Sequence, residues 1–242
     1  MKLKFFIATL LILVSTFVQA ENRPILKENF TKAKVGDFIV TSQNKMFSIL
    51  HVKDKSSDSL VLEEITAPGN KIPRNKYTWR EWVENDAPGN TSWVIYHLNT
   101  DTGNIDGSYS YTKNTWFKLR EDDNFLSKLL SMEFYHVPHS ERKRVGPRGA
   151  SPAMRQSRQI WQPRMIVNGQ VIPNVNFEAW KARWPKDGSE LAGKLIEVYL
   201  PEESDRYPSY FPYWLQISGM IGKAKIRIIE SGGDLVSPKP LM

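Results

Sequence analysis

Three apolar runs, Val35–Val40, Met46–Val52 and Ser59–Ile65, are separated only by the short polar clusters Thr41–Lys45 and Lys53–Asp58. Parallel neighbours need crossover connections of about a dozen residues or more, usually helical. This spacing therefore restricts the segment to consecutive antiparallel pairing, a meander of the sort that closes into a small half-barrel. The same grammar recurs downstream. Ser92–Leu98 and Ile105–Tyr111 read as a hairpin around Asp101-Thr102-Gly103-Asn104, with Asp106-Gly107 adding a bulge signal. A strand over Thr115–Leu119 completes this part. Arg164–Ile172 reads as a short hairpin about Asn168-Gly169, residue types that accept the positive φ of a two-residue turn. Strands follow over Lys194–Leu200, Tyr213–Ser218 and Lys223–Glu230. In the last, Ala224, Ile226 and Ile228 alternate with Lys223, Lys225 and Arg227, so one face is buried and one is wet.

Three short helices are expected among these strands. Thr78-Trp79-Arg80-Glu81 is a capping box, with Trp79, Trp82 and Val83 on one face and Ala87–Asn90 as the stop. A second helix starts at Asp122 or Asp123 and runs toward Tyr135, carrying the stripe Phe125, Leu126, Leu129 and Leu130. A third is predicted over Asn176–Trp184, where Phe177, Trp180 and Trp184 share a helical face and Pro185 ends the run. The fold class is thus α+β, mainly antiparallel sheet in two lobes. The lobes share a loose order of paired tryptophans, turn, strand and aromatic cluster (Trp79, Trp82 and Tyr109–Trp116; Trp180, Trp184 and Tyr210–Trp214), the pattern an old duplication would leave.

The first residues have the form of an export signal. Met1-Lys2-Leu3-Lys4 is basic, Phe5–Val14 is apolar, and Val18-Gln19-Ala20 suits a signal peptidase, which places the cut before Glu21. The run is shorter than the roughly 20 apolar residues of a spanning helix. No later stretch is long and apolar enough to be an integral membrane segment once the signal is removed. The 242 residues include no cysteine, which excludes a lipid-modified cysteine anchor and a disulfide framework. Stability must come from an ordinary core. The expected organisation is a signal peptide over 1–20, an N-terminal β-rich lobe with two helices over 21–137, a basic loop or linker over 138–163 and a C-terminal α+β lobe over 164–242. The simple signal and the missing cysteines fit a bacterial periplasm better than an extracellular destination.

The charge is unevenly placed. The full chain carries +7, and Lys2 and Lys4 leave with the signal. Arg142, Lys143, Arg144, Arg148, Arg155, Arg158 and Arg164 lie in one stretch that has no acid, and the rest of the exported chain is nearly neutral. Gly146-Pro147, Gly149, Pro152 and Pro163 break that stretch too often for a helix or strand, so it reads as a long Pro/Gly-rich loop. Such a loop suits contact with an anionic envelope component. Nucleic acid is a poor partner for an exported chain, and no aromatic side chain interleaves the run before Trp161.

Catalytic signals are weak. His136 and His139 are three apart with Pro138 between them, which does not suit a helical metal pair. Asn99–Gly107 lacks the closing glutamate of a calcium loop. No Gly-x-Ser-x-Gly elbow and no phosphate loop occurs. Glu81, Glu84 and Asp86 could serve as paired carboxylates for glycan hydrolysis, although Glu81 already has a capping role. Neither a cofactor nor a metal site is indicated. Tyr207–Trp214 packs five aromatics around two prolines, a stiff surface suited to a protein or glycan partner. Trp214 is expected in the core, and Tyr207, Tyr210 and Phe211 at the contact. The reading that follows is an exported, non-enzymatic envelope or secreted binding or assembly protein; the alternatives are a cell-wall or glycan hydrolase and a purely structural assembly factor.

Overall fold

The computed structural model describes residues 22–119, 124–146, 151–203, 206–219 and 222–242. The expected signal peptide over 1–20, the helix start at Asp122 or Asp123, and Arg148 lie outside the described residues, as does the side chain of Arg155. The molecule is built on one sheet of thirteen strands, antiparallel along its whole main path. Four short α-helices accompany it among the described residues: α1 (Ile25–Phe30), α2 (Trp79–Glu84), α3 (Phe125–Ser131) and α4 (Pro152–Gln156).

The predicted meander is present as β1 (Phe38–Gln43), β2 (Met46–Lys55) and β3 (Ser59–Pro68), continued by β4 (Ser92–Asn99), β5 (Ile105–Ser110) and β6 (Thr115–Phe117). Asn44 and Lys45 both take positive φ between β1 and β2, as a two-residue hairpin requires. The Asn99 side-chain oxygen accepts from the backbone of Asp101 at 3.0 Å and Thr102 at 2.9 Å, which closes the β4–β5 turn. Further on come β7 (Tyr135–His136), β8 (Met165–Val167), β9 (Gln170–Ile172), β10 (Phe177–Arg183), β11 (Leu195–Pro201), β12 (Trp214–Gly219) and β13 (Gly222–Gly232). The strand order is β6-β5-β4-β3-β2-β1-β13-β12-β11-β10-β7, with β8 and β9 as a side branch on β13. Asn168 and Gly169 have the positive φ values that the β8–β9 turn was expected to need. Pairing of β1 with β13 carries the sheet from the segment before residue 137 into the segment after 164.

The predicted third helix is a strand. Residues 177–183 pair in continuous register with β11, from Phe177 opposite Pro201 to Arg183 opposite Leu195. Phe177, Ala179, Trp180 and Ala182 are all buried, so aromatics point to both faces and the clean alternation of a half-buried strand is absent. Non-local pairing overrides a spacing that locally reads as helical. The tryptophan-bearing segment is therefore helical at 79–84 and extended at 177–183, and the loose repeat of order is not a repeat of structure.

The main core draws on both ends of the chain: Leu60, Leu62 and Leu98 join Val198, Leu200 and Leu215 in one cluster. α1 is wedged into it. Phe30 meets Tyr210 edge-on with ring centroids 5.3 Å apart, and Asn29 donates to the Ser209 carbonyl at 3.3 Å. A second cluster on the other face of β1–β4 seats α2 through Trp79, Trp82 and Val83. The α2 capping box is formed in full: Thr78 Oγ1 accepts from Glu81 N while Glu81 Oε2 accepts from Thr78 N at 2.8 Å.

Candidate functional site

A cleft of about 570 Å³ opens on the face of the sheet that carries the main core. Strand register explains its floor. One row across β1, β2 and β3 is polar, Thr41–Ser48–Thr66, and the next is Ile39–Leu50–Glu64. Ser48 and Thr66 bond to each other at 2.7 Å. Tyr96 of β4, Ile105 of β5, Ile226 of β13 and Phe211 also line it.

The roof is α3, which presents Phe125 and Leu126. Asn124 caps it, accepting from Ser127 N at 3.1 Å, and Ser127 Oγ in turn accepts from Ile105 N at 3.1 Å, which ties α3 to β5. Phe125 stacks on Trp184 with an interplanar angle of 8°. Lys128 pairs with Asp187 at 2.7 Å, and that contact, with further bonds from Ser189 and Trp184, holds the Asp187 carboxyl well below the usual carboxylate range. The roof is thus clamped to the loop that follows β10.

The polar element inside the cleft is a phenol on a carboxylate. Tyr96 donates its hydroxyl to Glu64 Oε2 at 2.8 Å. Burial and the neighbouring Glu64 carboxylate push the phenol far above its ordinary value. Among the described residues, no lysine, arginine or histidine lines the cleft or pairs with Glu64.

The adjacent residue, Glu63, points to the opposite face and is fully buried. Its Oε2 lies 2.9 Å from His51 Nδ1. Its Oε1 accepts from Lys53 Nζ at 3.1 Å, Trp93 Nε1 at 2.9 Å and Ser237 Oγ at 2.7 Å. Burial acts to raise its pKa, but the His51 bond, the Lys53 charge and the Ser237 and Trp93 bonds outweigh it, and the net shift is downward. The chain's last residues cover this cluster: Lys53 also donates to the Lys239 carbonyl at 2.7 Å, Tyr111 donates to the Pro240 carbonyl, and Lys239 Nζ pairs with Asp86 at 2.9 Å.

The described residues of the basic segment hold more structure than its composition suggests. Its arms meet at the bridge between Arg144 and Ile160, and α4 lies between them. Arg142 is buried: it donates to the carbonyls of Val137 at 3.1 Å and Phe177 at 2.8 Å and contacts His136 Nε2 at 3.0 Å. Arg144 donates to the carbonyls of Gln156, Arg158 and His139, and Arg158 to that of Gly146. Arginine donors here satisfy backbone acceptors that no ladder reaches. Arg142 is therefore corrected from a surface contact to an internal clasp. Lys143 and Arg164 are exposed, and the Lys143 ammonium lies 4.4 Å from the Trp161 ring centroid.

Tyr210 and Phe211 are also corrected. Both are buried against α1, and Tyr210 donates to the Leu50 carbonyl at 2.5 Å, so neither forms an exposed contact. Tyr207 is half-buried beside Arg206, and Trp214, expected in the core, is half-buried against Trp161. Of the acids proposed for hydrolysis, Glu81 caps α2, Glu84 lies 3.8 Å from Arg80 and Asp86 pairs with Lys239; none lines the cleft. Sequence reasoning missed Glu64 and Tyr96. The available signal was two consecutive carboxylates inside an apolar strand, which puts one charge on each buried face.

The model of the CT021 protein family matches residues 48–173, from β2 through β9. The chain belongs to the CT021 protein family. The hypothetical protein CT021 from Chlamydia trachomatis has a similar fold, with a TM-score of 0.62 at 17% identity over 90% of this chain and 96% of that one. No curated protein matches. The match to the CT021 family includes Glu63, Glu64 and Tyr96 as well as the basic segment. Among the described residues of this CT021-family chain, no helix is long and apolar enough to cross a membrane.

Proposed function

We propose that this CT021-family chain is an exported, non-enzymatic binding protein of the bacterial envelope that takes an apolar ligand into the cleft beneath α3. The observation that carries this reading is the cleft itself. Its volume of about 570 Å³ lies in the range of small-molecule sites, and Leu50, Ile105, Phe125, Leu126, Phe211 and Ile226 supply apolar walls around a few polar groups. Export to the periplasm is supported by the basic, apolar and small-residue order of residues 1–20. A secondary contact with an anionic envelope component is supported by exposed Lys143 and Arg164, and Tyr207 stays within reach of a partner.

The test uses protein expressed from the full chain, with recovery from the periplasmic fraction of a form beginning at Glu21 as the export readout. The neutral dye N-phenyl-1-naphthylamine is then titrated in. Saturable, one-to-one fluorescence enhancement is expected, and Leu126→Trp, which fills the cleft from its roof, should abolish it while the circular dichroism is unchanged. Equal enhancement in both proteins, or none in either, would remove the cleft as a binding site.

A further inference from the structure

Two consecutive carboxylates on β3 meet opposite electrostatic fates. Glu63 faces the outer side and is neutralised by Lys53, with His51, Trp93 and Ser237 bonded at its other acceptor positions. Glu64 faces the cleft and receives one phenol from Tyr96. A carboxylate has about four acceptor positions, and one neutral donor leaves most of them open. The surroundings are apolar on several sides: Leu50 lies directly across on β2, and Ile105, Phe125 and Ile226 line the same space. A carboxylate held in such a setting gains strongly from a cation that arrives with its own donors. No basic side chain of the described residues provides one.

Building on the binding reading above, we infer that the cleft selects a small amphiphile with a primary ammonium head, its head on Glu64 and its apolar body against Leu50, Phe125 and Leu126. The chemistry is that of an alkylamine or the amine-bearing end of a lipid-like molecule. A primary ammonium brings three donors. Glu64 takes one, and the hydroxyl of Ser48, diagonally across on the adjacent strand β2 and also lining the cleft, offers a further acceptor. Tyr96 acts as a positioning residue: its hydroxyl fixes one oxygen of Glu64 and leaves the other facing the ligand. An anionic head of the same length meets the Glu64 charge instead and is rejected, so specificity comes from repulsion as well as attraction.

Competition against bound N-phenyl-1-naphthylamine separates this inference from the reading it rests on. The competitors share one chain length: decylammonium, 1-decanol and decyl sulfate, each below its micellar concentration. Decylammonium is expected to displace the dye about tenfold more tightly than decanol, the advantage of a hydrogen bond between charged groups, with decyl sulfate weakest. Glu64→Gln should bring the ammonium and the alcohol to equal potency, read as the ratio of their displacement constants within that variant so that any change in the dye's own affinity cancels. Dye binding with no preference among the three heads in the native protein would overturn the inference and leave the apolar cleft standing. An ammonium preference that survives in Glu64→Gln would also overturn it, since the selecting charge would lie elsewhere. Displacement by a lysine-bearing hexapeptide at lower concentration than decylammonium would overturn the small-amphiphile assignment in favour of a peptide.

Discussion

Glu63 and Glu64 show how much one residue step decides on a strand. Alternation sends the first into a closed network and the second into an open cleft. Removing one member of a buried charge network leaves its partners uncompensated. Glu63→Gln strands His51 and Lys53, and the expected cost is about 3–5 kcal/mol. The pH dependence has a defined sign. The folded pKa of Glu63 lies below its ordinary value of 4.5, so its contribution is complete above that value and disappears as pH falls through the lower folded value. Urea midpoints measured at a series of pH values should therefore show the native protein losing more stability on acidification than Glu63→Gln does. Parallel curves would show that Glu63 is not the group being titrated. The two carboxylates were visible in the sequence as charges in an apolar run. Their partners were not, because Lys53, Trp93 and Ser237 come from three different segments.

At the scale of elements, local signals served well where one segment decides its own conformation. The α2 capping box is closed by residues three apart, and the β8–β9 turn needs only Asn168 and Gly169. They failed where the deciding partner is remote. β10 carries tryptophans at helical spacing, yet β11 and β7 flank it on both edges and fix it as a strand. α1 was not anticipated, because its six residues hold few local signals and its place depends on Tyr210 and Phe211. The basic segment has the same lesson in its charges. Arg142 is 5% exposed, and its guanidinium bonds the Val137 and Phe177 carbonyls where β7 meets β10. Arg142→Ala is expected to destabilise the fold by about 2–3 kcal/mol through those lost charge-assisted bonds, read as a shift in urea midpoint. Lys143→Ala, at an exposed site, should change stability by less than about 0.5 kcal/mol. Similar costs for the two would contradict the clasp.

At the scale of the whole molecule, the C-terminal residues lock the outer face. Ser237 reaches Glu63 across 174 positions of sequence, and Lys53 donates to the Lys239 carbonyl across 186. Deleting residues 236–242 should lower stability by about 2 kcal/mol or more, from the loss of hydrogen bonds to charged groups. It should also raise amide hydrogen exchange in β2, β3 and β4, and leave dye binding in the cleft on the opposite face intact. Exchange unchanged in those strands would mean that the tail only lies on the surface. A simultaneous loss of dye binding would mean that the two faces are not independent.

The sequence by itself determined the strand meander, the hairpin turns, the capped helix and the dependence on an ordinary core, because each rests on periodicity, turn chemistry or the lack of cysteine within a short window. The tertiary structure alone decided that β1 pairs with β13, that 177–183 is a strand, that Arg142, Tyr210 and Phe211 are internal, and that Glu64 faces a cleft in which no described residue supplies a cation. Those outcomes depend on which distant segments share a face and on which charges remain unpaired after packing, and pairing across the fold is not written in any one stretch of the chain.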